Sequence, residues 1–464
     1  MSKFDDIKIP DSIDDITKKA MNRGHNYKKK QKYKKIIVAS VSIGVGIVGV
    51  GIMNPSIADS IPMIKKIIEY FNENNNSLYK SDKDEFGKLG VELNLMSKDN
   101  GIEFKLDSAS VDDNYLTIFY TIKTDKSIKE MDGVNKNADF ANPFINAYID
   151  DKSIINAGII ESEATFSSDN ELKGMHKIDV SYIKIDDNIK VKFTTNEIFN
   201  KEGNWSITAK IDKSKATKDT YRYEIDKDFV LNKKYNIDGN DKQIKDNVNI
   251  ERVIISPLAN KILINEKVEG ADADWDPIMM SNFALFDQDG KSLDVIDKGG
   301  SGTNPQTGIA TNSIEFLKAD KNTISLTLVP FKYEEKEECN LLEPQNIHEL
   351  PVKFKVNNYG KVILEDVKIT EKEIKYRYHK EGVVPGNIHF SFFDKDKKEI
   401  IINGGVTRTA IDRKTGRYTA IWKFRGYENE TDIYKFKDIK YVSVYEDANL
   451  NLLYDKQMKI DLVK

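Results

Sequence analysis

Two hydrophobic patterns divide this chain. From Phe86 to Lys464 apolar and polar residues alternate in short runs, broken by turn signals such as Asp112-Asp113-Asn114, Asp186-Asp187-Asn188 and Asp289-Gly290. Alternation with period two puts every second side chain on one face, so these runs predict half-buried strands. Before Phe86 the periods differ. Ile36 to Met53 reads IIVASVSIGVGIVGVGIM, eighteen residues without a charge, with Val45 near the middle. A bilayer-spanning helix needs roughly 17–25 such residues, so this run predicts a transmembrane helix. Its four glycines cost helicity in water but are common in membrane helices. Helical spacing recurs on either side of it. Ile9, Ile13, Ile16 and Ala20 form a narrow stripe, with Ser12 and Asp15 as a capping box. Ile61, Ile64, Ile67, Ile68 and Phe71 form a second stripe, with Lys65, Lys66 and Glu69 off it and Pro62 in the first turn.

Charge sets the expected topology. Seven basic residues and no acid lie between Arg23 and Lys35, whereas Asn54 to Ser60 carries no basic residue. The basic flank stays cytoplasmic. Residues 1–35 are therefore expected inside and the bulk of the chain outside, with the lysine block against anionic headgroups of the lipid bilayer. A cleaved signal peptide is the competing reading. The long basic region, an apolar run exceeding the usual core of such peptides and the lack of a clean A-x-A site favour the anchor. Within the span, Ser40 with Gly44 and Ser42 with Gly46 place small residues four apart, a spacing that allows helices to approach and the chain to self-associate.

A strand pair recurs three times: GIEFKLDSASVDDNYLTIFYTIK from Gly101, VNIERVIISPLANKILINEKV from Val248 and GKVILEDVKITEKEIKYRYHK from Gly360. Each is followed by an aromatic strand ending in an acidic turn: PFINAYIDDKSI, NFALFDQDGKSL and HFSFFDKDKKEI. Each unit closes with a further alternating strand, starting at Trp205, Thr323 and Tyr441. The expected map is a cytoplasmic tail (1–35), the span (36–53), a juxtamembrane helix and linker (54–85) and three serial β-sandwiches (86–235, 236–358 and 359–464). The fold class is mainly β.

Composition narrows the chemistry. Net charge is −4, which gives no global field for direct contact with nucleic acid. The single cysteine, Cys339, excludes an internal disulfide and a cysteine-based zinc cluster. The histidines (25, 176, 348, 379 and 389) have no metal-ligand spacing, and no nucleophile elbow or phosphate loop occurs. Gly299-Gly300-Ser301-Gly302 reads as a flexible loop. Asp272, Asp274 and Asp276, and the DQDGKS run from Asp287, raise calcium, but neither has glutamate at the twelfth position of an EF-hand. DQDGKS reads better as a hairpin turn. Trp205 and Trp422 sit in alternating strands as core residues, while Trp275 follows a loop. No catalytic group and no cofactor is expected, and the chain reads as a non-enzyme.

IPDSIDDITKKAMNRG before the lysine block, the stretch Asn54–Ile61 with Pro62, and Asn100-Gly101-Ile102 followed by Tyr115-Leu116 resemble a group of Gram-positive membrane proteins, domain-of-unknown-function family 4179. The part from about residue 240 is similar to an immunoglobulin-like domain often appended in such proteins. The resemblance implies a single-pass anchor, an Ig-like ectodomain and an anti-sigma-factor-like inner tail that binds an extracytoplasmic-function sigma factor. The tail has His25 but no cysteine, so it lacks the zinc motif of well-described anti-sigma domains. A cytosolic partner would have to use Ile9, Ile13, Ile16 and Ala20, in the helix-in-groove mode. Two functions are expected to compete. One is a membrane-anchored cell-envelope sensor or regulator. The other is a surface binding or structural protein contacting cell wall or another protein, with an unidentified extracellular ligand.

Overall fold

The structure is a computed structural model. It describes residues 88–132, 134, 143, 145–154, 159–237, 240–269, 282–304, 306–317, 319–333, 340–370, 373–400, 406–423, 438–447 and 449–462. Among these no helix is long and apolar enough to cross a membrane. The inner stripe (Ile9, Ile13, Ile16, Ala20), the span (Ile36, Val45, Met53, with Ser40, Gly44, Ser42 and Gly46) and the Ser60–Phe71 stripe all lie outside the described residues, as do Trp275, Cys339 and the Asp272–Asp276 run.

The described chain is mainly β and builds three two-sheet modules. The first contains β1 (Val91–Asp99), β2 (Ile102–Val111), β3 (Tyr115–Thr124), β4 (Asn146–Ile149), β5 (Lys152–Ser153), β6 (Ile159–Ser168), β7 (Glu171–Asp179), β8 (Asn188–Ile198) and β9 (Lys201–Asp212). Its sheets run β1-β2-β3-β7-β6 and β5-β4-β8-β9. Alternate residues of both sheets meet in one core, Phe104, Ile118 and Tyr120 from one side against Val191, Phe193 and Trp205 from the other. The Trp205 indole donates to the Ile102 carbonyl at 2.9 Å, which satisfies its one polar atom in the core.

The second module contains β10 (Tyr221–Ile237), β11 (Asn240–Ile255), β12 (Asn260–Glu269), β13 (Phe283–Phe286), β14 (Ser292–Leu293), β15 (Val295–Thr303), β16 (Ala310–Phe316) and β17 (Ser325–Tyr333). The third contains β18 (Gln345–Asn346), β19 (Val352–Phe354), β20 (Gly360–Ile369), β21 (Glu373–Gly382), β22 (Phe390–Phe393), β23 (Val406–Asp412), β24 (Arg417–Lys423) and β25 (Tyr441–Val444). Two strands remain, β26 (Leu450–Leu452) and β27 (Met458–Asp461), and both pair with β17.

The larger sheet has the same order in each module, β1-β2-β3-β7-β6, β10-β11-β12-β16-β15 and β19-β20-β21-β24-β23. Among the described residues the third module has no strand at the place of β5 and β14, so its strand places are named by equivalence with the first. The recurring sequence pair is the second-to-third hairpin of every module. In the second module β14-β13-β17 with β26 and β27 repeats the fifth-fourth-eighth-ninth order of the first. In the third, β22-β25-β18 keeps the fourth and eighth places and fills the ninth from upstream.

Topology moves the expected boundaries. Residue 236 falls inside β10, which is paired with β11 from Tyr221 onward. The last strands return to the second module, where Met458 and Ile460 join Leu326 and Leu328 in its core. The third module is thus inserted between the eighth and ninth strands of the second. The Trp205 strand is a ninth strand, whereas β17 and β25 are eighth strands, so their sequence likeness was not an equivalence of position. The Gly299–Gly302 run is not a loop. It lies in edge strand β15, paired with β16, where glycine at 299 lets the Ser313 side chain approach. The DQDGKS reading as a turn holds: Asp287 accepts from the backbone of Asp289 and Lys291, and Asp394 does the same for Asp396 and Lys398.

Candidate functional site

The functional geometry lies where modules meet. At the first joint the β2–β3 turn touches the β11–β12 turn. Asp112 Oδ1 accepts from the Asn114 and Tyr115 amides, 2.8 Å each, and shapes its own turn. Its Oδ2 crosses to the second module and accepts from the Ser256 hydroxyl at 2.7 Å and the Leu258 amide at 2.9 Å. Burial pushes the Asp112 carboxyl up from its ordinary value, and these four bonds pull back. Asn114 donates to the Ala259 carbonyl at 2.8 Å. Asp113 takes Lys213 at 2.6 Å, which fixes the connection between the modules.

Beside these turns runs a chain of buried charges. Lys261 on β12 pairs with Asp179 at the end of β7. The Tyr115 ring is flanked by two ammonium groups, Lys177 at 4.0 Å and Lys261 at 4.1 Å from its centroid. Its hydroxyl donates to Glu315 on β16, and Glu315 in turn binds Arg413 from the β23–β24 turn of the third module. Burial would raise the Glu315 carboxyl, but Arg413, Lys177, Lys261 and the Tyr115 hydroxyl together hold it at about 2. All three modules are joined through Asp179, Lys261, Tyr115, Glu315 and Arg413.

The second joint repeats the device. Asp294, between β14 and β15, accepts from the Tyr418 hydroxyl at 2.7 Å and faces Lys380 on β21 at 3.4 Å. Lys380 also donates to the Gly386 carbonyl at 2.6 Å. Tyr418 stacks on Tyr378 with centroids 4.8 Å apart. In both joints a lysine on a third strand is buried against an aspartate of the preceding module. Buried pairs of this kind add little net stability over well-packed apolar residues, but losing one partner is costly.

Next to that second joint lies a cleft of 320 Å³ with walls from two modules. Phe283, Leu293, Phe331 and Tyr333 come from the second, Val383 and Pro385 from the third. Its floor continues into an apolar contact of Ala284, Val329, Phe331, Val383, Leu450 and Leu452. Burial and the Asp447 carboxylate push the Tyr333 hydroxyl up to about 12. The size falls at the lower end of ligand pockets, and its apolar walls suit a small, largely apolar ligand. Among the described residues no group of three or more metal-ligating side chains occurs.

Sequence reasoning placed no site at these joints. Asp112-Asp113-Asn114 was legible as a turn, but nothing local told that Asp112 and Asn114 would be buried by a second module. A lysine inside the NKILINE run of β12 reads as a solvent-facing residue. The threefold repeat was the only signal, since three modules in series require two interfaces and some outward charges must be covered there.

Comparison with known proteins adds the following. The family described as Domain of unknown function (DUF4179) matches residues 28–124, ending with β3. The Family of unknown function (DUF5643) matches residues 226–357. No curated protein matches. A solved structure, the crystal structure of the conserved domain protein from Bacillus anthracis, aligns at 18% identity over 57% of this chain and 84% of its own, with a TM-score of 0.35.

Proposed function

We propose that this chain is a non-enzymatic, single-pass sensor of the cell envelope. Residues 1–35 lie in the cytoplasm, Ile36 to Met53 span the membrane, and three immunoglobulin-like sandwiches stand outside. The strand order supports the last element: second-third-seventh-sixth facing fifth-fourth-eighth-ninth corresponds to the ABED and C′CFG sheets of immunoglobulin-type sandwiches. The observation that carries the sensing role is the cleft between the second and third modules, set in joints otherwise closed by buried ion pairs. A ligand there contacts both modules at once, so its binding energy bears on their mutual position. The output is capture or release of a sigma factor by Ile9, Ile13, Ile16 and Ala20.

Ile13→Asp with Ile16→Asp in the full-length protein tests this. The variant should insert normally, lose co-purification of the sigma factor and alter transcription of its regulon. Wild-type capture and transcription would overturn the regulator role.

The same stiff joints favour a second reading, a surface binding or structural protein that presents the cleft to wall material or another protein. On that reading residues 1–35 can be deleted without consequence, whereas Val383→Trp, which fills the cleft, abolishes attachment.

A further inference from the structure

The larger sheet of the first module has a second face, turned away from its core, and that face is buried too. Ser108, Phe119 and Met175 stand in one cross-strand row, with Ser108 paired to Phe119 and Phe119 to Met175. Their exposures are 0%, 2% and 0%. Toward the joint the next row, Ser110, Thr117 and Lys177, leads to Tyr115 and the second module. Phe119 and Met175 belong to none of the three module cores and not to the contact between the second and third modules. The hydroxyls of Ser108, Ser110 and Thr117 are buried without a hydrogen-bond partner. A face with exposures this low is already covered, and with small side chains at 108, 110 and 117 its large apolar groups are Phe119 and Met175.

We propose that the segment Ser60–Phe71 docks on this face, with Ile61, Ile64, Ile67, Ile68 and Phe71 against Phe119 and Met175. Three observations select it. Its stripe is apolar over one side only and needs a cover of about this width. It ends seventeen residues before Lys88, which precedes edge strand β1 of the same sheet. A chain of that length spans at most roughly 60 Å, more than the length of β2. Finally, one family match, residues 28–124, takes in the segment together with β1, β2 and β3, and stops where β3 stops. Docked there, the helix ties the first module to the membrane stem. The docking holds whether or not the chain regulates transcription.

Disulfide cross-linking in the full-length, membrane-inserted protein tests this. In a Cys339→Ser background, Ile68→Cys is combined with Met175→Cys, with the nearly isosteric Ser108→Cys, or with Lys210→Cys on the opposite sheet as control. Mild oxidation should join 68 to 175 and 68 to 108 within one chain and leave 68 and 210 unjoined. Protection of the cysteine at 68 by lipid, with no cross-link to either partner, would overturn the proposal in favour of a membrane-lying helix. Cross-links that form only between two chains would overturn it in favour of self-association. Absence of every cross-link would also overturn it.

Discussion

Lys261 and Asp179 form an ion pair across the first joint, with side chains only 1% and 2% exposed. Neither charge can be hydrated, so each depends on the other. Lys261→Met should cost about 3–5 kcal/mol, because a buried carboxylate is left without its cation. Adding Asp179→Leu should recover most of that loss. Denaturant unfolding of the two single variants and the double variant measures the coupling. Additive effects would show that the pair does not hold the joint.

Acid should weaken the first module in a defined window. His176 lies in its core, stacked on Tyr120 at 4.9 Å. Burial pushes its imidazole down from 6.5 to about 4, and the Pro143 backbone offsets part of that. Above the ordinary value the ring is neutral in both states and its packing is fully retained. As pH falls toward the lower value, the unfolded chain takes up a proton that the folded chain refuses. Stability is lost through that window, by roughly 3 kcal/mol at its end. His176→Phe should flatten the slope, read from urea midpoints across the window. Glu315 adds a lower one. Its contribution is fully present above its ordinary value of 4.5 and is lost as pH falls through about 2.

Gly174 faces Tyr120 across β3 and β7. A methyl group there would sit 2.1 Å from the tyrosine ring. Gly174→Ala should therefore destabilise the first module by about 1–3 kcal/mol through overpacking. Gly290→Ala makes a useful contrast: its Cβ meets nothing within 4 Å, but its φ of +74° opposes any side chain. That cost should be about 1 kcal/mol and confined to the second module. Thermal unfolding with a reporter in each module separates the two.

Removal of residues 449–464 should damage the second module more than the third, although the third is nearer in sequence. The lost strands pair with β17, and Met458 and Ile460 leave the core of the second module. Limited proteolysis should then cut within 221–333 while 345–444 stays protected. Early cutting in the third module would contradict the inserted topology.

The repeat explains what could be read from sequence. The three second-to-third hairpins were legible because both strands and their turn are continuous in the chain. Trp205 was legible as core because it stands at an inward place of an alternating run. The ninth strand was not, since β27 finds β17 across the whole third module and no local pattern encodes that pairing. Lys261, Glu315 and Lys380 were not either, because alternation tells which residues leave a core and not what covers them. His176 occupies an inward position of β7 that the pattern reserves for an apolar side chain. Only its neighbours, Ile118 and Ser162 across the sheet, mark it as buried.

The central claim is that buried charges hold the three modules in one arrangement, the arrangement that a ligand in the cleft is proposed to bias. Spin labels at Lys210→Cys in the first module and Lys395→Cys in the third, with Cys339→Ser, test it by pulsed-resonance distance measurement. The account predicts one narrow distance distribution, broadened when Lys261→Met and Arg413→Ala open the chain of charges. A broad distribution in the otherwise native protein, unchanged by those substitutions, would contradict it.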